Sequence, residues 1–436
     1  MRAGIAAQAL RAHRWAFVGP ASTQTVAATV LTATLTTALA LRDHPAAEIS
    51  EAMVAFAAIA GYLTVLLVGI TMNAAIAQQS GDIALLRAVG ATPGRIRRAV
   101  AVEAAAIALP AGVVGHLLGL AAGREWLGAL AAHGLAPADV RFAVVPWLLA
   151  PVLGVLVVTS VLGALVAAIR PARARPAVAL ADVATRRPRF TAVRVGLGLA
   201  LVAAGVTLSV LIADRAAEAA DDAAFFVMLS LCVGVGLLGP VVLRAAIAVT
   251  RPLTGLAGTG RLAADNVAVL SRALSGALVP LVLAVAFAAV KVAAHTTATH
   301  VTGRAGPAAE VWLDAAGTGV YCLFAAVAAV NTLATVVVGR RRDLATLRLA
   351  GATRGRVLAV VICEAGIVTG TALALATAVA GVTLVPIVHS GLGTWVPYLP
   401  PAAWVTGILA AAAVVAAGTV LPAALSTRGR PVEALA

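Results

Sequence analysis

Ten apolar stretches of more than 20 residues recur along this chain, and they constrain its fold more than any other feature. About 20 helical residues cross the roughly 30 Å hydrocarbon layer of a bilayer. The stretches are rich in Ala, Leu, Val and Gly and show no alternation of period two, which favours helices over barrel strands. The sequence therefore predicts an all-α polytopic membrane protein. The predicted spans are residues 15–41, 52–77, 99–121, 144–169, 193–213, 223–248, 273–293, 316–338, 360–388 and 402–424.

The composition agrees with a membrane protein, since 61% of residues are hydrophobic, 11% are charged and the mean hydropathy is +1.01. Soluble domains carry about 25% charged residues, so a soluble fold is a poor alternative. The three cysteines, Cys232, Cys322 and Cys363, all fall inside predicted spans. We expect them to be small packing residues and not metal ligands or redox groups. The first apolar run is too long for a secretory signal, so a retained first helix is predicted.

The distribution of Lys and Arg predicts that both chain ends are cytoplasmic. With the N-terminus inside, 26 of the 32 basic residues fall in cytoplasmic segments, whereas 11 of the 18 acidic residues lie on the outer side. Cytoplasmic loops retain basic residues in this way. Topology and anionic lipid then account for the net charge of +14, and no nucleic-acid partner is needed.

A 23-residue segment occurs twice, at 82–104 and 343–365, and the two copies are identical at 12 of 23 positions. RARPAVALA at 173–181 matches RGRPVEALA at 428–436 in the same way, and Pro20 and Pro280 fall at equivalent depths in their spans. Four helices, a two-helix insert and four helices are predicted, with the two repeats parallel because both copies face the cytoplasm. The domains are a first four-helix unit at 1–181, a linker and insert at 182–258, and a second four-helix unit at 259–436.

Each copy reads DIALLRAVGATPGR or DLATLRLAGATRGR, which predicts a short amphipathic helix, a glycine turn and a new helix at the membrane face. We call residues 82–98 and 343–359 the coupling segments, because such an element can transmit a displacement of a cytosolic partner to a long transmembrane helix. The alternative is an ordinary basic loop, which explains the arginines but not the repeated GAT-x-GR pattern. The predicted coupling residues are Asp82, Arg87, Gly90, Thr92, Gly94, Arg95, Asp343, Arg348, Gly351, Thr353, Gly355 and Arg356.

Glu103 and Glu364 each lie about two turns into a span, where an unpaired carboxylate costs about 2–3 kcal/mol or more. Each glutamate therefore needs a partner. Arg95 and Arg356 lie eight residues upstream, and Arg87 and Arg348 precede them in the short helices. A structural ion pair that fixes the coupling helix is the favoured interpretation, and a proton relay is the alternative.

These residues resemble the FtsX-like permeases of ABC transporters, also called the MacB-type or mechanotransmission class. The resemblance is carried by the two repeated segments and by the RPAVALA and RPVEALA tails. It implies a permease whose coupling helices bind a separate ABC ATPase, with ATP and Mg on that partner. Two coupling segments in one chain predict two ATPase copies for each permease chain. Many members carry a large extracellular domain between the first two helices of a unit, but here the predicted loops, 42–51 and 294–315, are short.

The chain itself contains no Walker A sequence, because that motif requires a lysine and the only lysine is Lys291, within a predicted span. We therefore expect no catalytic residue, no metal site and no cofactor in this chain. Threonines at 3,4 spacing line one face of the first helix, and two asparagines precede the coupling segments. Packing against another helix and lining of a substrate path are both open for them. These residues are Thr25, Thr29, Thr32, Asn73 and Asn331.

The favoured function is a transmembrane permease subunit in a bacterial plasma membrane, with a separate ATPase driving export or membrane extraction of a lipophilic compound, a lipid or an antimicrobial peptide. A signalling permease that senses flux without net transport is one alternative. A secondary transporter is another, but it is expected to show inverted repeats or discontinuous helices, and neither is clear here.

Overall fold

The computed structural model describes residues 14–42, 47–173, 192–213, 217–254 and 258–428. Within these residues the chain forms twelve α-helices and one 3-10 turn, Pro146–Leu148, and no strand. Ten of the helices are long and apolar enough to cross a membrane, which confirms the predicted number of spans. The helices are α1 Arg14–Leu41, α2 Ala47–Gln78, α3 Ser80–Ala88, α4 Pro93–Ala132, α5 Leu149–Arg173, α6 Ala192–Ile212, α7 Ala217–Thr254, α8 Gly258–Thr302, α9 Ala308–Gly339, α10 Arg341–Leu349, α11 Arg354–Leu392 and α12 Pro401–Ser426.

Several helices extend well beyond the predicted spans, and the three longest, α4, α8 and α11, contain 40, 45 and 39 residues. At 1.5 Å per residue they are about 60–70 Å long, which is twice the thickness of the hydrocarbon layer. Hydropathy detects only the apolar centre of such a helix, so the polar ends were not predicted. The helix α4, for example, continues for eleven residues past the predicted end at residue 121.

The first unit, Met1–Arg186, contains α1 to α5. Within it α1 packs against α2 and α4, and α5 packs against α2 and α4. Small residues set the distance between α1 and α4, because Gly115, Gly119 and Gly123 are buried on the face of α4 that contacts α1. A Cβ atom on Gly115 would lie 2.4 Å from the carbonyl oxygen of Thr25. The two backbones therefore approach as closely as glycine permits.

The second unit, Arg187–Ala436, contains α6 to α12. Helices α8, α9, α11 and α12 repeat α1, α2, α4 and α5: α8 packs against α9 and α11, and α12 packs against α9 and α11. The inserted pair α6 and α7 pack on each other, and α7 also packs on α8 and α11. Gly198 and Gly234 allow α6 and α7 to approach, since a Cβ on either would lie about 3 Å from backbone of the other helix.

The matched tails at 173–181 and 428–436 lie outside the described residues except for Arg173 and Arg428. The two links at the ends away from the coupling segments are shorter than the sequence predicts. Only residues 42–46 separate α1 from α2, and only residues 303–307 separate α8 from α9, because the flanking helices extend into the predicted loops.

Candidate coupling site at the two repeated segments

The first coupling segment is a nine-residue helix followed by a tight turn into α4. The helix α3 ends at Ala88, and Gly90 has a φ of +95°, a left-handed conformation that only glycine adopts without strain. Thr92 caps the N-terminus of α4, since its hydroxyl oxygen accepts a hydrogen bond from the Arg95 amide at 3.4 Å. Pro93 then occupies the first helical position, where its missing amide hydrogen has no cost.

The second coupling segment repeats this backbone. The helix α10 also has nine residues, Gly351 has a φ of +93°, and the Thr353 hydroxyl accepts a hydrogen bond from the Arg356 amide at 3.3 Å. Gly94 and Gly355 lie in the first turn of α4 and α11, and a Cβ atom on either would enter open space. The repeated GAT pattern therefore encodes one left-handed glycine and one N-cap threonine.

The charged residues of the segments differ more than the backbone. Asp82 and Asp343 are exposed in the first turn of α3 and α10, where a carboxylate interacts favourably with the helix dipole. The Arg87 guanidinium donates to the Ala91 carbonyl in its own turn, at 2.9 Å. The Arg348 guanidinium instead donates to the Thr427 carbonyl just past the end of α12, at 3.0 Å.

The exposed faces of the two short helices also differ. The first segment exposes Leu85, Leu86 and Val89, which are 56%, 49% and 89% accessible. The exposed residues of α10 are Arg341, Arg342, Asp343, Thr346 and Leu349. The first face is therefore mainly apolar, and the second is mainly polar and charged.

Glu364 is buried in α11 and pairs with Arg340, which lies between α9 and α10. Both terminal nitrogens of the Arg340 guanidinium donate to the two carboxylate oxygens, and the Asn266 amide of α8 donates to Oε1 at 2.8 Å. Arg340 and Glu364 are each 5% accessible. An apolar cluster that includes Val337 and Leu344 lies beside the coupling segment. A paired, hydrogen-bonded carboxylate of this kind is the form in which charge is tolerated in an apolar interior.

This geometry corrects the predicted partners of Glu364, which were Arg356 and Arg348. Arg356 is exposed at the start of α11, and Arg348 is turned to the end of α12. Neither Arg340 nor Asn266 was predicted from the sequence. The sequence did contain an indication of Arg340, because it is the first arginine after a predicted span and lies 24 residues before Glu364. No sequence pattern indicated Asn266, because Asn266 and Glu364 are 98 residues apart in the chain.

Glu103 occupies the same repeat position in α4 and is also 5% accessible, but it has no such partner among the described residues. Its Oε2 atom is buried there without a hydrogen-bond partner. The repeat position of Arg340 is held by Gln79, whose buried Nε2 atom likewise lacks a hydrogen-bond partner in the described part of the chain. The predicted partners Arg87 and Arg95 do not fill this role, since Arg87 bonds to Ala91 and Arg95 is exposed.

A family model for the C-terminal part of FtsX-like permeases matches this sequence twice, at residues 54–176 and 318–431. The two matches together cover more than half of the 436 residues. The chain belongs to the FtsX-like permease family. The matches begin within α2 and α9 and end just after α5 and α12, and each contains one coupling segment and one buried glutamate. Comparison with curated proteins gives no match.

The threonine face of the permease lies in a closed helix interface. The Thr29 hydroxyl donates to the Gly115 carbonyl at 3.2 Å, and the Thr32 hydroxyl lies 3.0 Å from Nδ1 of His116. Thr25 supplies the carbonyl oxygen that Gly115 approaches. The glycine face of α4 therefore fills the space beside these threonines, and the geometry favours the helix-packing interpretation over a substrate path along this face.

The two asparagines of the permease lie in different surroundings. Asn73 is exposed on α2, and Asn331 is half-buried on α9, where its carbonyl accepts a hydrogen bond from Thr335. Asn73 belongs to the first unit, as the threonines do, whereas Asn331 belongs to the second unit.

At the end of the second unit away from its coupling segment, Asp314 of α9 accepts hydrogen bonds from two side chains of α8. Lys291 donates at 3.2 Å and the His295 ring nitrogen lies at 2.9 Å. All three side chains are about one-third exposed. Among the described residues no group of three or more His, Cys, Asp or Glu is arranged to hold a metal ion.

Proposed function

We propose that this permease couples ATP hydrolysis by a separate ABC ATPase subunit to export or membrane extraction of a lipophilic compound, a lipid or an antimicrobial peptide. The observation that carries the proposal is the duplicated coupling segment. Two copies of a short helix, a left-handed glycine and an N-capped long helix have the same backbone geometry although they are 261 residues apart.

A separate ATPase follows from the lack of a phosphate-binding lysine in the sequence. Walker A loops require a lysine after the glycine-rich turn, and the one lysine of this chain, Lys291, lies on α8 with Asp314 as its partner. The family also works with ABC ATPases in general. Two coupling segments in one chain support two ATPase copies for each permease chain, bound on the cytoplasmic side of a bacterial plasma membrane.

A lipophilic cargo is supported by the short links between helices. Five residues separate α1 from α2 and five separate α8 from α9, so these connections hold no domain that could work on an external partner. The helices themselves must then contact the cargo, and a compound that already resides in the bilayer reaches them most directly.

The test is co-purification of the chain with an ABC ATPase, followed by ATPase measurements on the complex in lipid nanodiscs. Gly90→Val and Gly351→Val place a β-branched residue at a positive φ, so the double variant should lose most of the permease-dependent ATPase stimulation. Gly128→Val and Gly407→Val are matched controls, since both glycines are helical and have open space around them. Unchanged stimulation in the Gly90→Val, Gly351→Val variant, or the absence of any co-purifying ATPase, contradicts the proposal.

A further inference from the structure

The second coupling segment is fixed to its own unit by three arginines. Arg340, immediately before α10, pairs with Glu364 of α11 through both terminal nitrogens. Arg348, in the last turn of α10, donates to the Thr427 carbonyl. Arg354, at the start of α11, donates to the Ala424 carbonyl of α12 at 3.2 Å. Polar contacts thus hold both ends of α10 and the following turn.

The first coupling segment lacks the corresponding contacts among the described residues. The three repeat positions are held by Gln79, Arg87 and Pro93. Within that part of the chain the side-chain Nε2 atom of Gln79 has no hydrogen-bond partner, the Arg87 guanidinium donates within its own turn, and Pro93 has no side-chain donor. Apolar burial is equivalent in the two segments, because two consecutive residues are buried at matching positions of each short helix. These residues are Ile83 and Ala84 in α3, and Leu344 and Ala345 in α10.

This difference changes how the segments respond to a force. A bidentate arginine–carboxylate pair fixes both distance and orientation, and breaking it inside an apolar interior leaves an uncompensated charge. Apolar contacts such as those of Ile83 and Ala84 are non-directional, so they restrict sliding less. A displacement of α10 therefore has to move α11 with it, whereas α3 can shift or fray without moving α4 to the same extent.

We propose that the two coupling segments are unequal, and that Arg340 is the positioning residue which makes the second segment the one that transmits ATPase-driven motion into its helices. The first segment binds an ATPase but transmits less motion, because glutamine replaces arginine at residue 79. This inference rests on the proposed function, but its first test does not require an ATPase.

The first test is amide hydrogen exchange of the intact permease in nanodiscs without ATPase. Amides of α10 should exchange at least about tenfold more slowly than those of α3, the factor expected from one extra buried, charge-assisted hydrogen bond. Gln79→Arg, which provides Glu103 with a guanidinium, should slow exchange in α3 and leave α10 unchanged. Equal protection of α3 and α10 in the wild-type chain would overturn the inference, even if the permease still stimulates an ATPase.

The second test separates positioning from ATPase binding in the complex with the co-purified ATPase. Arg340→Gln combined with Glu364→Gln removes both charges and leaves no orphaned carboxylate. This variant should retain the ATPase in pull-down but lose most of the stimulation, about tenfold or more, because the segment still binds and no longer moves α11. The exchanged pair Arg340→Glu, Glu364→Arg should recover part of the stimulation.

A matched substitution in the first unit provides the control. Gln79→Ala combined with Glu103→Gln alters the equivalent positions, which make no ion pair with each other, and should change stimulation by less than about twofold. Equal losses from the two double variants, or full stimulation in the Arg340→Gln, Glu364→Gln variant, would overturn the unequal roles. Loss of ATPase binding by both would instead contradict a positioning role for Arg340.

Discussion

Glu103 and Glu364 lie at the same position of the repeat, but they differ in the hydrogen-bond partners of their carboxylates. Glu364 has Arg340 and Asn266, whereas Glu103 has Gln79 at the position of the arginine and a buried oxygen with no partner among the described residues. The left-handed glycine and the N-cap threonine are kept in both copies. The repeat therefore preserves backbone geometry more strictly than it preserves charge.

The glycines and the ion pair differ in whether other residues can replace them. At φ near +95° any side chain is strained, so only glycine serves at Gly90 and Gly351. A buried ion pair has no such geometric necessity, since an apolar or neutral pair of similar volume is often equally stable. The first repeat can therefore have Gln79 where the second has Arg340 without losing the fold, and the two units differ in charge at this position.

The largest effect is expected from Arg340→Gln alone. It leaves Glu364 buried with one neutral partner, so the second unit should lose about 3–5 kcal/mol of stability. Thermal unfolding in detergent would measure the loss. The double variant Arg340→Gln, Glu364→Gln should recover most of it, and a double variant as unstable as the single one would mean that the ion pair matters less than the surrounding packing.

The close packing of α1 on α4 gives the next effect. Gly115→Ala should destabilise the first unit by about 1–3 kcal/mol, because the new Cβ atom would lie 2.4 Å from the Thr25 carbonyl and 2.6 Å from Cβ of Ala28. Ala376 occupies the same position in the second unit. Ala376→Gly should have a smaller effect there, measured by the same unfolding assay. A larger loss from Ala376→Gly would reverse this comparison of the two interfaces.

The N-caps should show no difference between the units. Thr92→Ala and Thr353→Ala each remove one hydroxyl that accepts from an exposed backbone amide, which is worth about 1 kcal/mol. Hydrogen exchange at the first turn of α4 and of α11 would measure the two losses. Losses that differ by more than about twofold in exchange rate would show that the two turns are not equivalent even in their backbone.

The smallest effect concerns a contact that only the second unit has among the described residues. Lys291→Met removes a partly exposed ion pair with Asp314 and should cost less than about 1 kcal/mol. The first unit has Val30 and Met53 at the positions that correspond to Lys291 and Asp314. Unfolding at low and high salt would measure the change, and a loss well above about 1 kcal/mol would indicate that Lys291 is shielded from water in the membrane.

Sequence reasoning predicted the ten spans, the parallel repeat and the position of both coupling segments, because these depend on hydropathy and on local patterns around Gly90 and Gly351. It did not predict the partner of Glu364. Arg340 and Asn266 reach it from separate helices, and such contacts depend on how the helices pack, which no local spacing encodes. The surroundings of the threonine face could not be predicted for the same reason, since the glycine face of α4 that covers it lies 86 residues further along the chain.

The short links also limit how far consecutive helices can separate. The five residues of 303–307 join the ends of α8 and α9, and an extended chain of that length spans about 20 Å. These two helices can therefore never part at that end by more than this distance. The α4–α5 and α11–α12 links, residues 133–145 and 393–400, allow wider separation. Motions that separate α4 from α5, or α11 from α12, are therefore less restricted at their linked ends than motions that separate α8 from α9.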